Sequence, residues 1–310
     1  MRNVILSLSG LLTMAFLSGV CLNDRAEAAD NAEVGTAEKF LLRYQFRTGE
    51  TLRWKVSRQT KTDANIDGES QVTETSSQSV KCWRVIDVKP DGTATFEHSV
   101  ESVDMCNLLP GQEEVRYNSR TDKTVPPAFQ NVAQSVGVSL SIFTLDSRGT
   151  ILKRERKQAT MAMQNRQGQV TLPLPKEAIA VGHTWSQPQD IEVPLRTGGI
   201  KRVKSRQKFT LRRVKTGVAT IEIVTQILTP IHDPAIEAQL VQREMKGTIR
   251  FDIDAGRILS QKMDLDKHVV GFHTGASSVR YVTRFSEELL PSRDATANLS
   301  ASRRQNLPRR

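Results

Sequence analysis

VKPDGTATFE, residues 88–97, reads as the end of one β-strand, a tight turn and the start of the next. Val88 closes the alternating run RVIDV (84–88), Pro90, Asp91 and Gly92 suit a tight turn, and TATFEHSV (93–100) resumes the alternation. Alternation sends every second side chain to the same side, so each arm can bury one face and leave the other in water. The phrase returns one residue shorter as VKTGVATIE at 214–222, between KFTLRRV and VATIEIVTQI.

Two more hairpins have the same construction. FTL (143–145) leads through Asp-Ser-Arg-Gly into TILKRE (150–155), and TIRFDID (248–254) leads through Ala-Gly into RILSQKMDL (257–265). Four hairpins of one type predict an antiparallel sheet. The likeness between the two parts of the chain also extends beyond the quoted phrase. GETLRW (49–54) corresponds to GHTW (182–185), each bringing in a Trp after a Gly-x-Thr turn, and FTLDSRGTIL (143–152) corresponds to FDIDAGRIL (251–259). Three matches in one order predict a diverged tandem duplication. The fold expected is therefore all-β, a strongly curved antiparallel sheet or partial barrel from two related halves, with two separate domains as the alternative.

Helices are expected only as covers. PPAFQNVAQSV (126–136) places Phe129, Val132, Ala133 and Val136 at i, i+3, i+4 and i+7 behind two prolines, which predicts a short amphipathic helix over the sheet. In DPAIEAQL (233–240), Asp233 can cap and Pro234 can open a second short helix.

The ends of the chain read differently. Arg2, the apolar run Val4–Val20 and Ala26-Glu27-Ala28 together predict a signal peptide over residues 1–28, cleaved after Ala28, and hence export to the periplasm or the extracellular space. A flexible leader is expected at 29–37, a first repeat at 38–157, a junction at 158–181 carrying Pro173 and Pro175, and a second repeat at 182–290. Residues 291–310, polar and without aromatics, predict a disordered basic tail. After cleavage no segment approaches the roughly 20 apolar residues of a membrane helix. The whole chain has a formal net charge of +10. Cys82 and Cys106 remain in an oxidising compartment. A turn centred on Pro90 and Asp91 nevertheless sets Cys82 opposite Ser99 or Val100, too far from Cys106 for a disulfide within one hairpin.

LPLPKEAIAVGHTW (172–185), with GETLRW and FDIDAGRIL, resembles a family of secreted bacterial β-rich proteins known only as a domain of unknown function. More distantly, the hairpins with a D-x-x-G or D-x-G turn and a short covering helix are similar to periplasmic lipoprotein carriers, whose curved antiparallel sheet holds acyl chains. The resemblance implies architecture. It carries no site residue to this chain, because its motifs are turns and strand entries.

Chemistry-bearing motifs are sparse. The chain has no G-x-S-x-G elbow, no H-E-x-x-H and no Gly-rich phosphate loop, and neither cysteine sits in a nucleophile signature, so an enzyme is not expected. A hydrolase with a dispersed site is the minor alternative. Asp264, Asp266 and His268 alternate in DLDKH, but a solvent-facing polar stripe has the same spacing, and no metal or cofactor is expected. In KRVKSRQKFTLRR (201–213), Lys204, Arg206 and Lys208 alternate into a cationic ribbon suited to an anionic envelope component, or to guarding an edge strand. The ribbon has no interleaved aromatics, which argues against nucleic acid. Trp54 and Trp185 are candidates for lining a ligand cleft or for anchoring the core of each half. Together these features lead to a non-enzymatic envelope protein that binds an apolar or lipidic molecule on its sheet, with a structural module or a polyanion binder as alternatives.

Overall fold

In the first hairpin the Lys89 amide donates to the Thr93 carbonyl at 2.9 Å, and the Asp91 carboxylate accepts the Thr93 amide at 2.9 Å. The turn is thus closed by the residues the sequence nominated. It belongs to a computed structural model that describes residues 38–157 and 171–292. The expected signal peptide, the leader, residues 158–170 of the junction and nearly all of the tail lie outside the described residues.

The strands are β1 (Lys39–Phe40), β2 (Thr51–Ile66), β3 (Glu69–Val88), β4 (Ala94–Leu108), β5 (Val115–Asn118), β6 (Ser139–Leu145) and β7 (Ile151–Arg156) in the first half. The second half holds β8 (Ile179–Ala180), β9 (Thr184–Pro194), β10 (Ile200–Lys215), β11 (Val218–Ile227), β12 (Lys246–Asp252), β13 (Arg257–Val270) and β14 (Ser278–Leu289). All four expected hairpins are present.

The main sheet is antiparallel and runs β7-β6-β4-β3-β2-β14-β13-β12-β11-β10-β9, with β5 added beside β4. Both halves therefore lie in one sheet. Its seam is the β2–β14 ladder, from Asn65 opposite Ser278 to Trp54 opposite Leu289. β7 and β9 stand at its two ends and do not pair with each other, so the sheet stays open rather than closing into a barrel.

Register divides the side chains into an inner and an outer face. On the inner face, Leu52, Trp54, Trp83, Phe96, Phe143 and Leu145 form one core across β2, β3, β4 and β6. A second inner core takes Phe209, Leu211, Ile221, Ile223, Ile249 and Phe251 from β10, β11 and β12. Phe46 packs against both cores and joins them. Burying a side chain of this size contributes about 1.5 to 3 kcal/mol, so these rows supply most of the drive to fold.

Three covers lie on the inner face. At its base, the segments around Leu42, Tyr44, Leu172 and Leu174 pack on the second core. The buried Tyr44 hydroxyl accepts the Leu172 amide at 2.8 Å. The close approach needs a glycine: at Gly149, with φ +82°, a Cβ would come within 2.6 Å of the Tyr44 ring and 2.7 Å of the Leu172 carbonyl.

On one flank a 3-10 turn (Pro127–Phe129) runs into α1 (Gln130–Ala133), and Phe129, Val132, Ala133 and Val136 pack on Val103, Met105 and Tyr117. The apolar face is the expected one, but the regular helix is a single turn. On the other flank α2 (Pro234–Leu240) seats Ile236 and Leu240 on Ile191, Val193 and Val203. Asp233 caps it as expected, accepting the Ala235 amide at 2.8 Å.

Candidate functional site

Between α1 and α2 the inner face of β13, β14, β2 and β3 carries mostly half-buried side chains, and Met263 and Val269 on its β13 side are buried. Its floor consists of four cross-strand rows. Reading from β13 to β3, they are Met263–Phe285–Arg58–Ser77, Leu265–Thr283–Thr60–Thr75, Lys267–Tyr281–Thr62–Thr73 and Val269–Val279–Ala64–Gln71. Four strands and four rows span roughly 14 Å by 20 Å.

The chemistry of this floor differs sharply from that of the opposite side of the same strands. Its charged residues are Arg58 and Lys267. The Arg58 guanidinium lies 5.3 Å from the centre of the Phe285 ring, and Lys267 is held by Glu237 of α2 at 3.3 Å and by Glu244, just beyond α2, at 2.5 Å. The Thr60 and Thr283 hydroxyls bond each other at 3.2 Å, so they need no solvent. The outer face of these strands carries Lys61, Asp63, Glu74, Asp264, Asp266, Arg280 and Arg284.

At the inner end of the floor, Lys81 donates to Glu287 at 2.6 Å, with the two side chains 17% and 7% exposed. The Lys81 ammonium also lies 4.7 Å from the Trp54 ring centre and 5.0 Å from that of Trp83. His98 is directly opposite Trp83 on one side and Ser141 on the other. Burial, then the charges of Lys81 and Arg154, push its imidazole down to about 4. It is neutral at pH 7.

Trp54 is 2% exposed and donates its indole N–H to the Ile258 carbonyl at 3.2 Å. It anchors the core and does not line the open floor. Trp185 is half-buried on β9, stacks on Phe209 with centroids 5.5 Å apart, and donates to the Pro173 carbonyl at 2.7 Å. Lys204, Arg206 and Lys208 project from β10 on the outer face, the first two exposed and the third half-buried. The structure thus separates the two indoles from the cations, which lie on opposite faces of the sheet. The ribbon is not an edge: β10 pairs with β9 on one side and β11 on the other.

Cys106 lies on β4, whereas Asp264, Asp266 and His268 lie on β13. Burial and the neighbouring Glu114 carboxylate hold the Cys106 thiol above its ordinary value, which disfavours the thiolate. Asp264, Asp266 and His268 are exposed on the outer face, and Asp266 is paired in two hydrogen bonds with Arg280 at 2.9 and 2.7 Å. Among the described residues no group of three His, Cys, Asp or Glu could hold a metal ion. No described helix is long and apolar enough to cross a membrane.

The floor was not legible in the sequence. Its threonines alternate with Gln59, Lys61 and Asp63, so both faces of β2 look polar in one dimension. The available signal was the change of charge: every charged residue of 59–66 falls on one parity.

Comparisons with known proteins give little. No family model matches the sequence, and no curated protein does. Among solved structures, the chain is similar to one described as lipid-protein interactions in lipovitellin, with a TM-score of 0.41 and 15% identity. The alignment covers 80% of this chain and 26% of that one, so this chain spans about a quarter of that structure's length.

Proposed function

We propose that this chain is an exported, non-enzymatic envelope protein that binds an apolar or lipidic molecule on the floor formed by β13, β14, β2 and β3. Export rests on the charged start, apolar run and A-x-A site of residues 1–28. The observation that carries the binding reading is the contrast between the faces. A sheet face left to water normally collects charge, as the outer face of these strands does. The floor instead presents half-buried Leu265, Val279, Tyr281 and Phe285, its Thr60 and Thr283 hydroxyls bond each other, and both of its cations are engaged. Its apolar side chains offer contact area to a small apolar ligand with few charges to desolvate. Its size, roughly 14 Å by 20 Å, suits an acyl chain.

Native mass spectrometry of the protein purified from its own envelope tests this directly. A lipid-sized adduct should be retained by the native chain and lost from Thr62→Glu/Thr283→Glu, which places two charges on the floor, while the thermal transition survives. Absence of any adduct, or equal retention by the variant, overturns the reading.

A further inference from the structure

The outer face of β10 to β14 offers a second surface. It carries Lys204, Arg206, Lys208, Lys246, Arg250, Lys262 and Arg284, and none of these seven has an ion-pair partner among the described residues. The carboxylates of the same stretch are partly used: Glu222 pairs with Arg212 and Asp266 with Arg280. Asp264 and Glu288 remain without such a partner, so the surface has a clear cationic excess.

The distal end of this surface also exposes aliphatic side chains. Ile200, Leu228 and Val270 are 65%, 50% and 62% exposed. The Leu228 amide bonds the Lys204 carbonyl at 2.8 Å, which sets Leu228 beside the ribbon. Ile200 lies four residues up β10 from Lys204, roughly 13 Å away, and Val270 ends β13 next to the exposed His268 pleat.

We infer that the distal half of the outer face docks on an anionic lipid bilayer, with Ile200, Leu228 and Val270 entering the headgroup region and Lys204, Arg206 and Lys246 meeting lipid phosphates. Cations alone would suit any polyanion. The exposed aliphatics are what favour a bilayer, because they gain free energy only where they leave water. The cations also form a two-dimensional array, five strands or roughly 19 Å wide, rather than a single track along a polymer. Among the described residues no Phe, Tyr or Trp projects from this face to stack on bases. The inference is independent of the ligand floor, which lies on the opposite side of the sheet.

Co-sedimentation of the full chain with vesicles of phosphatidylglycerol and phosphatidylcholine, against vesicles of phosphatidylcholine alone, provides the test. Binding should require the anionic lipid and weaken steeply between about 50 and 500 mM salt. Lys204→Gln/Arg206→Gln/Lys246→Gln should weaken it by about 100-fold, at the contribution expected for each cation near an anionic surface. Ile200→Ser/Leu228→Ser/Val270→Ser should keep low-salt binding but weaken it about tenfold at moderate salt. All chains share the same terminal segments, so differences between them report on this face, and unchanged thermal transitions establish that the variants fold. Equal binding to neutral vesicles, or binding unaltered in either variant, overturns the inference. So does capture by soluble heparin with no sedimentation on anionic vesicles.

Discussion

Lys81 and Glu287, 206 residues apart, form an ion pair at 2.6 Å beneath two indole rings, at the point where the first half of the chain meets the last strand of the second. Neither charge could be left alone there. Removing one partner of a buried pair costs about 3 to 5 kcal/mol, because the other stays desolvated, whereas replacing both by apolar groups is often close to neutral. Lys81→Met should therefore destabilise strongly in urea unfolding, and Lys81→Met/Glu287→Leu should recover most of the loss. A double variant as unstable as the single would show that the pair contributes through its mutual attraction.

His98 makes stability depend on acid. Its imidazole titrates near 4 in the folded chain and near 6.5 when unfolded, so between those values the unfolded state binds more protons. Stability is fully present above about pH 6.5 and is lost as pH falls towards 4, by no more than about 3 kcal/mol. The facing charges, Lys81 and Arg154, are both positive, and neither can stabilise an imidazolium. In His98→Gln, chemical denaturation at pH 7 and pH 4.5 should give a smaller difference than in the native chain. An unchanged difference would assign the acid sensitivity to the carboxylates.

Two glycines should lose stability on substitution by alanine for different reasons. At Gly247 a Cβ would lie 2.0 Å from the Lys262 carbonyl and 2.8 Å from the Met263 Cα, so the β12–β13 ladder must move, at a cost of more than about 2 kcal/mol. Gly68, at φ +88° in the β2–β3 turn, has nothing within 4 Å, and Gly68→Ala should cost only the left-handed penalty of about 1 to 2 kcal/mol. Thermal unfolding of the two variants distinguishes a steric from a purely conformational requirement.

The tryptophans and the basic ribbon should separate in the same experiment. Trp54→Ala removes a buried indole together with its bond to Ile258 and should cost about 3 to 5 kcal/mol. Trp185→Ala, half-buried on the terminal strand β9, should cost less. Lys204→Gln/Arg206→Gln/Lys208→Gln changes three outer-face side chains and should shift urea stability by no more than about 1 kcal/mol. A large loss in the last variant would mean that these cations have partners essential to the fold.

What the sequence by itself determined is local. Turn residues and period-2 alternation defined the four hairpins and their registers, closely enough to set Cys82 opposite Ser99, while Cys106 faces Ser76 and both remain thiols. Asp233 and Pro234 likewise announced α2 through contacts within a few residues. What only the tertiary structure decided is which strands become neighbours. The β2–β14 ladder joins residues more than two hundred positions apart, and alternation gives each strand two faces without naming its partner. Hence the basic ribbon could be read as an edge, although β10 is flanked on both sides. Likewise Trp54 offered no sign that its indole reaches Ile258 across the seam. The open floor is the clearest case: Thr60 and Thr62 read as ordinary polar strand positions, and they become a low-charge surface only when Thr283, Tyr281 and Thr73 are brought alongside. That juxtaposition depends on long-range pairing, which a one-dimensional pattern does not encode.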